Sequence, residues 1–453
     1  MSPKTVLPKN LETDDAESNM KFIIHRGAKQ IGGSCVEIST PTTRIILDAG
    51  SPLEEPSPVE TRRPKRGRPT DLPNVPGLFG AGPKVDALLL SHAHGDHTGL
   101  LPWVKPEIPI FCSKGTSQML MAGSLFAGPK TEIPRDRQTT LETRKTINIG
   151  GISVTGLSVD HSAYDSMAFL IEADGKRLLY SGDLRLHGRK RGMARALYKF
   201  IAEKPVDILL MEGTNFRKSP QADGSDNFTE KDLEDTICRA IKRWNHLVLA
   251  HFSPQHFDRM ISFFKATRDA GRIFVVDAYG AFVWDVIRRR EFRDLMAKKQ
   301  IRVYFNQSFQ HSWRKNIPKL NRPFLAASID LPAILAEQER YTMLFRPSML
   351  DLDFGGQLPK HALCLHSLWG GYLVKPEYII LKAAITSAEG EFSECHTSGH
   401  ISAEDIEKFV KAVNPRYVVP IHTTGRSEFQ KRFKNVLVVE DGQEFDLDHI
   451  AAL

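Results

Sequence analysis

Residues 88–100 read Leu-Leu-Leu-Ser-His-Ala-His-Gly-Asp-His-Thr-Gly-Leu, and this stretch limits what the rest of the chain can be. The mostly apolar run 85–90 predicts a short buried strand. It ends in His92-x-His94-x-Asp96-His97, four metal-capable side chains within six residues. His92, His94 and Asp96 alternate, so an extended segment puts them on one face. Gly95 lets the backbone turn, so that Asp96 and His97 can approach from another direction. The spacing suits one metal fed by His92 and His94 and a second fed by Asp96 and His97. Imidazole and carboxylate ligands suit zinc, whose catalytic sites keep a position for water.

The remaining composition sets bounds. A chain of 453 residues can bury two or three proper cores. The net charge of +7 is compatible with a polyanionic substrate without requiring one. Five cysteines (Cys35, Cys112, Cys238, Cys364, Cys395) are scattered and form no CxxC. A reducing compartment is therefore expected, and the cytoplasm is the natural one. No apolar segment approaches a membrane span. Residues 1–19 are polar, lack the apolar core of a signal peptide, and read as a disordered tail.

Strands are predicted at 21–25, 34–39 and 44–48, the last closed by Asp48, a carboxylate able to orient a metal-bound histidine. The Pro- and Gly-rich segment 51–84 carries Arg62, Arg63, Lys65, Arg66 and Arg68. It reads either as a solvated insertion or as a basic flap on a phosphate backbone. A helix is expected to begin at 98–104, a strand at 110–112 and a helix at 117–126. The alternating strand 152–159 delivers His161. The segments 166–173 and 176–181 form a hairpin about Asp174-Gly175 and deliver Asp183. The basic run 184–191 is an exposed face or a substrate-phosphate contact. The strand 207–212 ends in Glu212. From residue 216 strands and helices alternate, which implies a small parallel α/β domain. Beyond it come His396-x-Ser398-Gly399-His400, a helix 403–413 capped by Ser402, and a strand 416–421 that delivers His422.

The HxHxDH cluster resembles the metallo-β-lactamase superfamily, and Asp48, His161 and Asp183 match that family's first, third and fourth motifs. An α/β domain inserted before a late histidine pair resembles the β-CASP nucleases, and RNase J-like enzymes among them, over nearly the whole chain from Met20. The resemblance implies an α/β fold: a metallo-β-lactamase αββα sandwich, 20–215 and 385–453, with an inserted β-CASP parallel α/β domain, 216–384. It implies two zinc ions, with manganese as a substitute. His92, His94, His161 and a bridging Asp183 would hold the first, and Asp96, His97, His422 and Asp183 the second. Glu212, His400 and His422 match the subfamily's late acid and two histidines. His396, Ser398, Gly399 and His400 would bind a substrate phosphate, and Ser253, on a looser match, another. Motif A reads Glu-Gly-Thr where relatives often have Glu-Ser-Thr, the 51–84 loop is idiosyncratic, and the C-terminal domain of full-length RNase J is absent.

Two such ions lower the pKa of a shared water and hold a phosphate oxygen. Asp96 is then expected to hold the attacking water's proton, and His400, kept charged by Glu212, to protonate the leaving oxygen. The leading expectation is a zinc-dependent ribonuclease acting on single-stranded RNA, exo or endo, away from membranes, with a homodimer compatible. Three alternatives stand beside it. A DNA-directed β-CASP nuclease typically lacks the motif C histidine, which His422 supplies. A small-molecule hydrolase of the wider superfamily has no use for the inserted domain. An inactive nucleic-acid-binding subunit would have lost metal ligands, and none is missing.

Overall fold

A computed structural model describes residues 20–53, 69, 71–128, 130–216, 228–310 and 317–448. The tail 1–19, the basic residues 62–68 and the linker 220–227 lie outside the described residues. Two sheets pack face to face. The first has seven strands, in the order Glu444–Asp446, Lys21–Arg26, Cys35–Ser39, Arg44–Leu47, Ala87–Leu90, Ile110–Ser113, Gln138–Leu141. The second has six: Tyr417–Ile421, Ile208–Glu212, Lys176–Tyr180, Met167–Ala173, Ile152–Ser158, Thr146–Ile149.

The period of two explains why strands that read as unbroken apolar runs fit here. Ile45, Leu47, Ala87 and Leu89 point into the core between the sheets, against Phe169, Ile171, Leu178 and Leu210. Ile46, Leu88 and Leu90 point the other way, into a second core that continues into the inserted unit. On the outer face of the second sheet, Ile406, Phe409 and Val410 of the helix Ala403–Val413 cover Leu209, Met211 and Val418. The αββα sandwich expected from the sequence is thus the observed architecture.

The third sheet is entirely parallel, with the order Ile301–Tyr304, Ile273–Asp277, Tyr341–Leu344, Val248–His251, Leu363–His366, Glu391–Glu394. Its last strand lies beyond residue 384, the expected end of the inserted unit. The strand Glu-Phe-Ser-Glu is polar and carries no apolar run, so it is recruited by pairing with Leu363–His366 rather than by its own pattern. The expected helix at 98–104 is instead a short turn, Gly95–Thr98, and a 3-10 turn, Leu101–Trp103, with proline at its start. Gly95 is helical and open space surrounds it, so the turn after His94 does not depend on a glycine.

The basic run 184–191 is a correction. Arg185 is fully buried and pairs with Asp160 (3.2 Å), Glu230 (3.2 Å) and Asp258 (3.5 Å). Arg189 pairs with Glu234, and Lys190 Nζ lies 3.3 Å from Asp258. These cations are spent on acids of the helices Glu230–Lys242 and Phe257–Asp269, not on an exposed face. Arg259, also fully buried, completes the junction: it pairs with Glu230 at 2.9 Å and donates to the carbonyls of Ser367 (3.0 Å) and Thr397 (3.1 Å). One carboxylate, Glu230, therefore neutralises two buried guanidinium groups contributed from both sides. Glu230→Ala should lower the unfolding free energy by about 3–5 kcal/mol, the cost of stranding a buried charge; urea unfolding of the variant beside the parent measures it.

Candidate metal centre

Seven metal-capable side chains from four separate segments meet at the ends of strands. His92, His94 and His161 form one cluster, and Asp96, His97, Asp183 and His422 a second, each offering atoms within 4.8 Å of one another. Asp183 joins the two: its Oδ2 lies 3.2 Å from His97 Nε2, 3.6 Å from His92 Nε2 and 3.8 Å from His161 Nε2. His422 bridges the far side, with Nε2 3.2 Å from Asp96 Oδ2 and Nδ1 3.8 Å from Asp183 Oδ1.

Each imidazole is aimed by what its other nitrogen touches. Asp48, which follows the strand Arg44–Leu47, accepts from His97 Nδ1 (2.8 Å), from the Ser91 amide (2.7 Å) and hydroxyl (2.7 Å), and from the Tyr180 hydroxyl (2.7 Å). Ser91 Oγ, committed as a donor to Asp48, accepts from His92 Nδ1 at 3.0 Å. His161 donates Nδ1–H to the Gly399 carbonyl at 2.6 Å. That contact needs the glycine: a Cβ on residue 399 would stand 2.4 Å from Ser162 Oγ. The segment after Asp48 is tied to the histidine loop, with Ala49 N donating to His97 O at 2.8 Å. Asp48 and His422 both hold left-handed backbone, φ 61° and 51°, a strain of order 1–3 kcal/mol each that surrounding contacts must offset. Tyr180, Ser91 and the Gly399 carbonyl carry no sequence signal for these roles; they are ordinary residues until the sheets bring them beside a ligand.

The electrostatics follow from this crowding. Burial pushes the Asp183 carboxyl up, but the imidazoles of His422, His97 and His400 outweigh it and hold it well below the usual range. Burial lowers His97, yet Asp183 and Asp48 on either side raise it well above an ordinary histidine. His92, with burial and His97 against it, and His161, with burial and His92, fall well below. The decisive observation is a set of orphans. His92 Nε2, His97 Nε2 and both oxygens of Asp183 are buried and make no hydrogen bond. Four unsatisfied donor-ligand atoms facing one point are what a divalent cation would satisfy, so these residues fit a metal.

Beside the second cluster stand His400 and Glu212, which with Asp183 and His422 form a third group of metal-capable atoms within 4.8 Å of one another. His400 Nδ1 donates to Glu212 Oε1 at 3.2 Å and lies 3.7 Å from Asp183 Oδ2. Glu212 is fully buried and also accepts from the amides of Leu184 and Thr214, each at 3.2 Å. Burial lowers His400, but Glu212 and then Asp183 carry it up to about 9. Thr214 Oγ1 lies between His400 Nδ1 (3.2 Å) and His422 Nδ1 (2.9 Å), a third residue the sequence did not single out.

The loop 395–400 joins this centre to the inserted unit. Ser398 Oγ accepts from the His400 amide and from Asn215 Nδ2, both at 3.1 Å, and the Ser398 carbonyl accepts from His187 Nε2 at 2.9 Å. His396 Nδ1 lies 3.4 Å from the Ser367 carbonyl. Ser253 follows the strand Val248–His251, on the same strand-end rim as Ser367.

With that geometry in hand, similarity to known proteins becomes informative. Residues 43–268 match the family described as "Beta-lactamase superfamily domain", and residues 390–446 match the "Zn-dependent metallo-hydrolase RNA specificity domain". The chain belongs to the metallo-β-lactamase superfamily and is RNase J-like. Ribonuclease J of Helicobacter pylori is 21% identical over 451 residues, covering 96% of this chain and 61% of that protein. The transcription termination factor FttA of Methanothermobacter thermautotrophicus is 24% identical over 279 residues, 57% of this chain and 42% of that protein. A solved protein of unknown function from Enterococcus faecalis V583 shares the fold with a TM-score of 0.74 over 94% of this chain and 99% of its own, at 22% identity. The chain spans about three-fifths of the length of the ribonuclease J relatives, 61% for the Helicobacter pylori protein. Among the described residues no helix is long and apolar enough to cross a membrane.

Asp48 is the pivot of the second cluster, because it makes the shortest contact to His97 Nδ1, 2.8 Å against 3.4 Å for Ser91 Oγ. Asp48→Asn should weaken divalent-metal binding roughly ten- to a hundredfold, the usual worth of such a partner. Competition with a chromophoric chelator on the folded variant reads the change. Unaltered metal affinity would mean that His97 needs no such orientation.

Proposed function

We propose that this chain is a zinc-dependent ribonuclease that hydrolyses phosphodiester bonds of single-stranded RNA. His92, His94, His161 and Asp183 would hold one ion, and Asp96, His97, His422 and Asp183 the other. Bound there, the ions supply an acidified water and positive charge against the phosphate oxygens. The observation that carries the reading is the His400–Glu212 pair set against Asp183 in a chain whose C-terminal segment matches an RNA specificity family.

The chain's own residues account for the proton traffic. Asp96 takes the proton of the attacking water as its oxygen bonds to phosphorus. The bond from phosphorus to the leaving oxygen breaks, and His400 delivers a proton to that oxygen. Glu212, anchored by two amides, keeps the imidazole charged and fixes its ring. Thr214 sets His400 against His422. His396, Ser398, Gly399 and His400 form the rim where a substrate phosphate would sit, with Ser253 as an outlying contact. The RNA preference rests on His422, present here and typically missing in DNA-directed relatives. An inactive binding subunit is disfavoured by the same observations, since every proposed ligand is present and converges.

His400→Ala separates catalysis from metal binding. It should lose about a hundredfold to ten-thousandfold in turnover, as expected for a general acid, with zinc content unchanged. His422→Ala should lose metal together with activity, and Glu212→Gln should resemble a milder His400→Ala. Single-stranded RNA should be cut faster than the matching DNA. Zinc analysis and single-turnover cleavage of end-labelled strands decide. A folded, zinc-replete His400→Ala protein with the parental rate removes the proton-donor role, and equal rates on RNA and DNA remove the RNA preference.

A further inference from the structure

The sequence Trp369-Gly-Gly-Tyr372 has no part in the metal centre, yet it sits on the same rim. It begins two residues after Ser367, whose carbonyl and hydroxyl bind Arg259 at 3.0 and 2.5 Å. Arg259 in turn holds the Thr397 carbonyl, next to His396. The segment is therefore anchored through one buried guanidinium to the loop that carries His400.

Its geometry is unusual for a surface turn. Trp369 is 44% exposed, a large apolar surface left in water at the end of a parallel sheet. Its indole lies flat on the backbone of Gly371, where a Cβ would stand 2.4 Å from the ring. Tyr372 meets it edge-on with ring centroids 5.4 Å apart, and Lys375 Nζ lies 4.7 Å from the Tyr372 ring centre. Tyr372 lies on the 3-10 turn Gly370–Val374, just beyond the carboxyl end of the strand Leu363–His366. An exposed indole braced edge-on by a second ring, with a lysine ammonium against that ring, is a stacking surface with a cation beside it. Unpaired bases stack on such rings whatever their identity, and a lysine beside them meets the backbone phosphate.

We propose that Trp369 and Tyr372, with Lys375, form a base-stacking platform that receives an unpaired nucleobase of the strand led into the metal centre. The proposal rests on the nucleic-acid reading of the site given above. It assigns to this rim a selection for single strands, because a base within a duplex offers no free face. Gly371 is what makes the platform possible, since any larger residue would displace the indole.

Equilibrium binding to the zinc-loaded chain of 453 residues tests it, using cleavage-resistant 2′-O-methyl oligouridine and an abasic strand of equal length and charge. The parent protein should prefer the strand with bases. Trp369→Ala should weaken oligouridine binding about five- to a hundredfold, the usual worth of one stacked base, so that the ratio of the two affinities collapses. Trp369→Phe should restore part of that ratio, which a merely structural defect would not. An unchanged ratio in a folded Trp369→Ala protein, or equal binding of both strands by the parent, overturns the platform and leaves the ribonuclease reading standing. A change in sedimentation with the ratio unmoved also overturns it, and assigns the indole to contact with a second copy. If the parent binds neither strand, the nucleic-acid reading falls and the platform with it.

Discussion

The carboxylate of Asp183 is the point on which the structure turns. It is 1% exposed, makes no hydrogen bond, and has five imidazoles within 3.8 Å. Removing a carboxylate from water costs several kcal/mol, and the fold tolerates it only where positive charge is supplied. Both sheets are arranged to supply it. The first delivers His92 and the His94–His97 turn from one strand end and Asp48 from its neighbour. The second delivers His161, Asp183, Glu212 and His422 from four strand ends. The two left-handed residues, Asp48 and His422, lie where the chain must stop short of the strand direction to face this point.

The parts of the site that were legible in sequence are those whose chemistry is local. Four candidate ligands within six residues leave little else for 92–97 to do, and His161, Asp183, Glu212 and His422 each end a strand that alternation or a hairpin makes visible. What was not legible depends on partners distant in the chain. The run 184–191 looks like a phosphate-binding face because its acids, Glu230, Glu234 and Asp258, lie in helices forty or more residues away. The Gly399 carbonyl reaches His161 across 238 residues, and nothing in a carbonyl's sequence position announces that. The strand Glu391–Glu394 has no apolar pattern because it lies at the edge of its sheet, and an edge strand is recruited by its neighbour's hydrogen bonds.

Parallel strands account for the common address of these functions. In an open parallel sheet, ligands collect beyond the carboxyl ends of the strands. Ser253, Ser367 and His396 occupy that rim in the inserted sheet, as Glu212 and His422 do at the parallel edge of the second sheet. The loop 395–400 connects one rim to the other, through the Ser398 and Thr397 carbonyls and the His400–Glu212 contact.

The junction between the two units then decides how such a cleft behaves. Arg185 and Arg259 share Glu230 in a fully buried cluster, and the same two cations hold the carbonyls of Ser398 and Thr397. Opening the cleft at this point would separate buried charges, which is costly where the dielectric is low. Apolar packing adds to it, with Phe126 stacked on Tyr279 at 5.0 Å between the helices Lys114–Phe126 and Ala278–Ala297. The ionic cluster so converts charges that the sequence suggests for substrate into the framework that positions the loop 395–400, which carries His400.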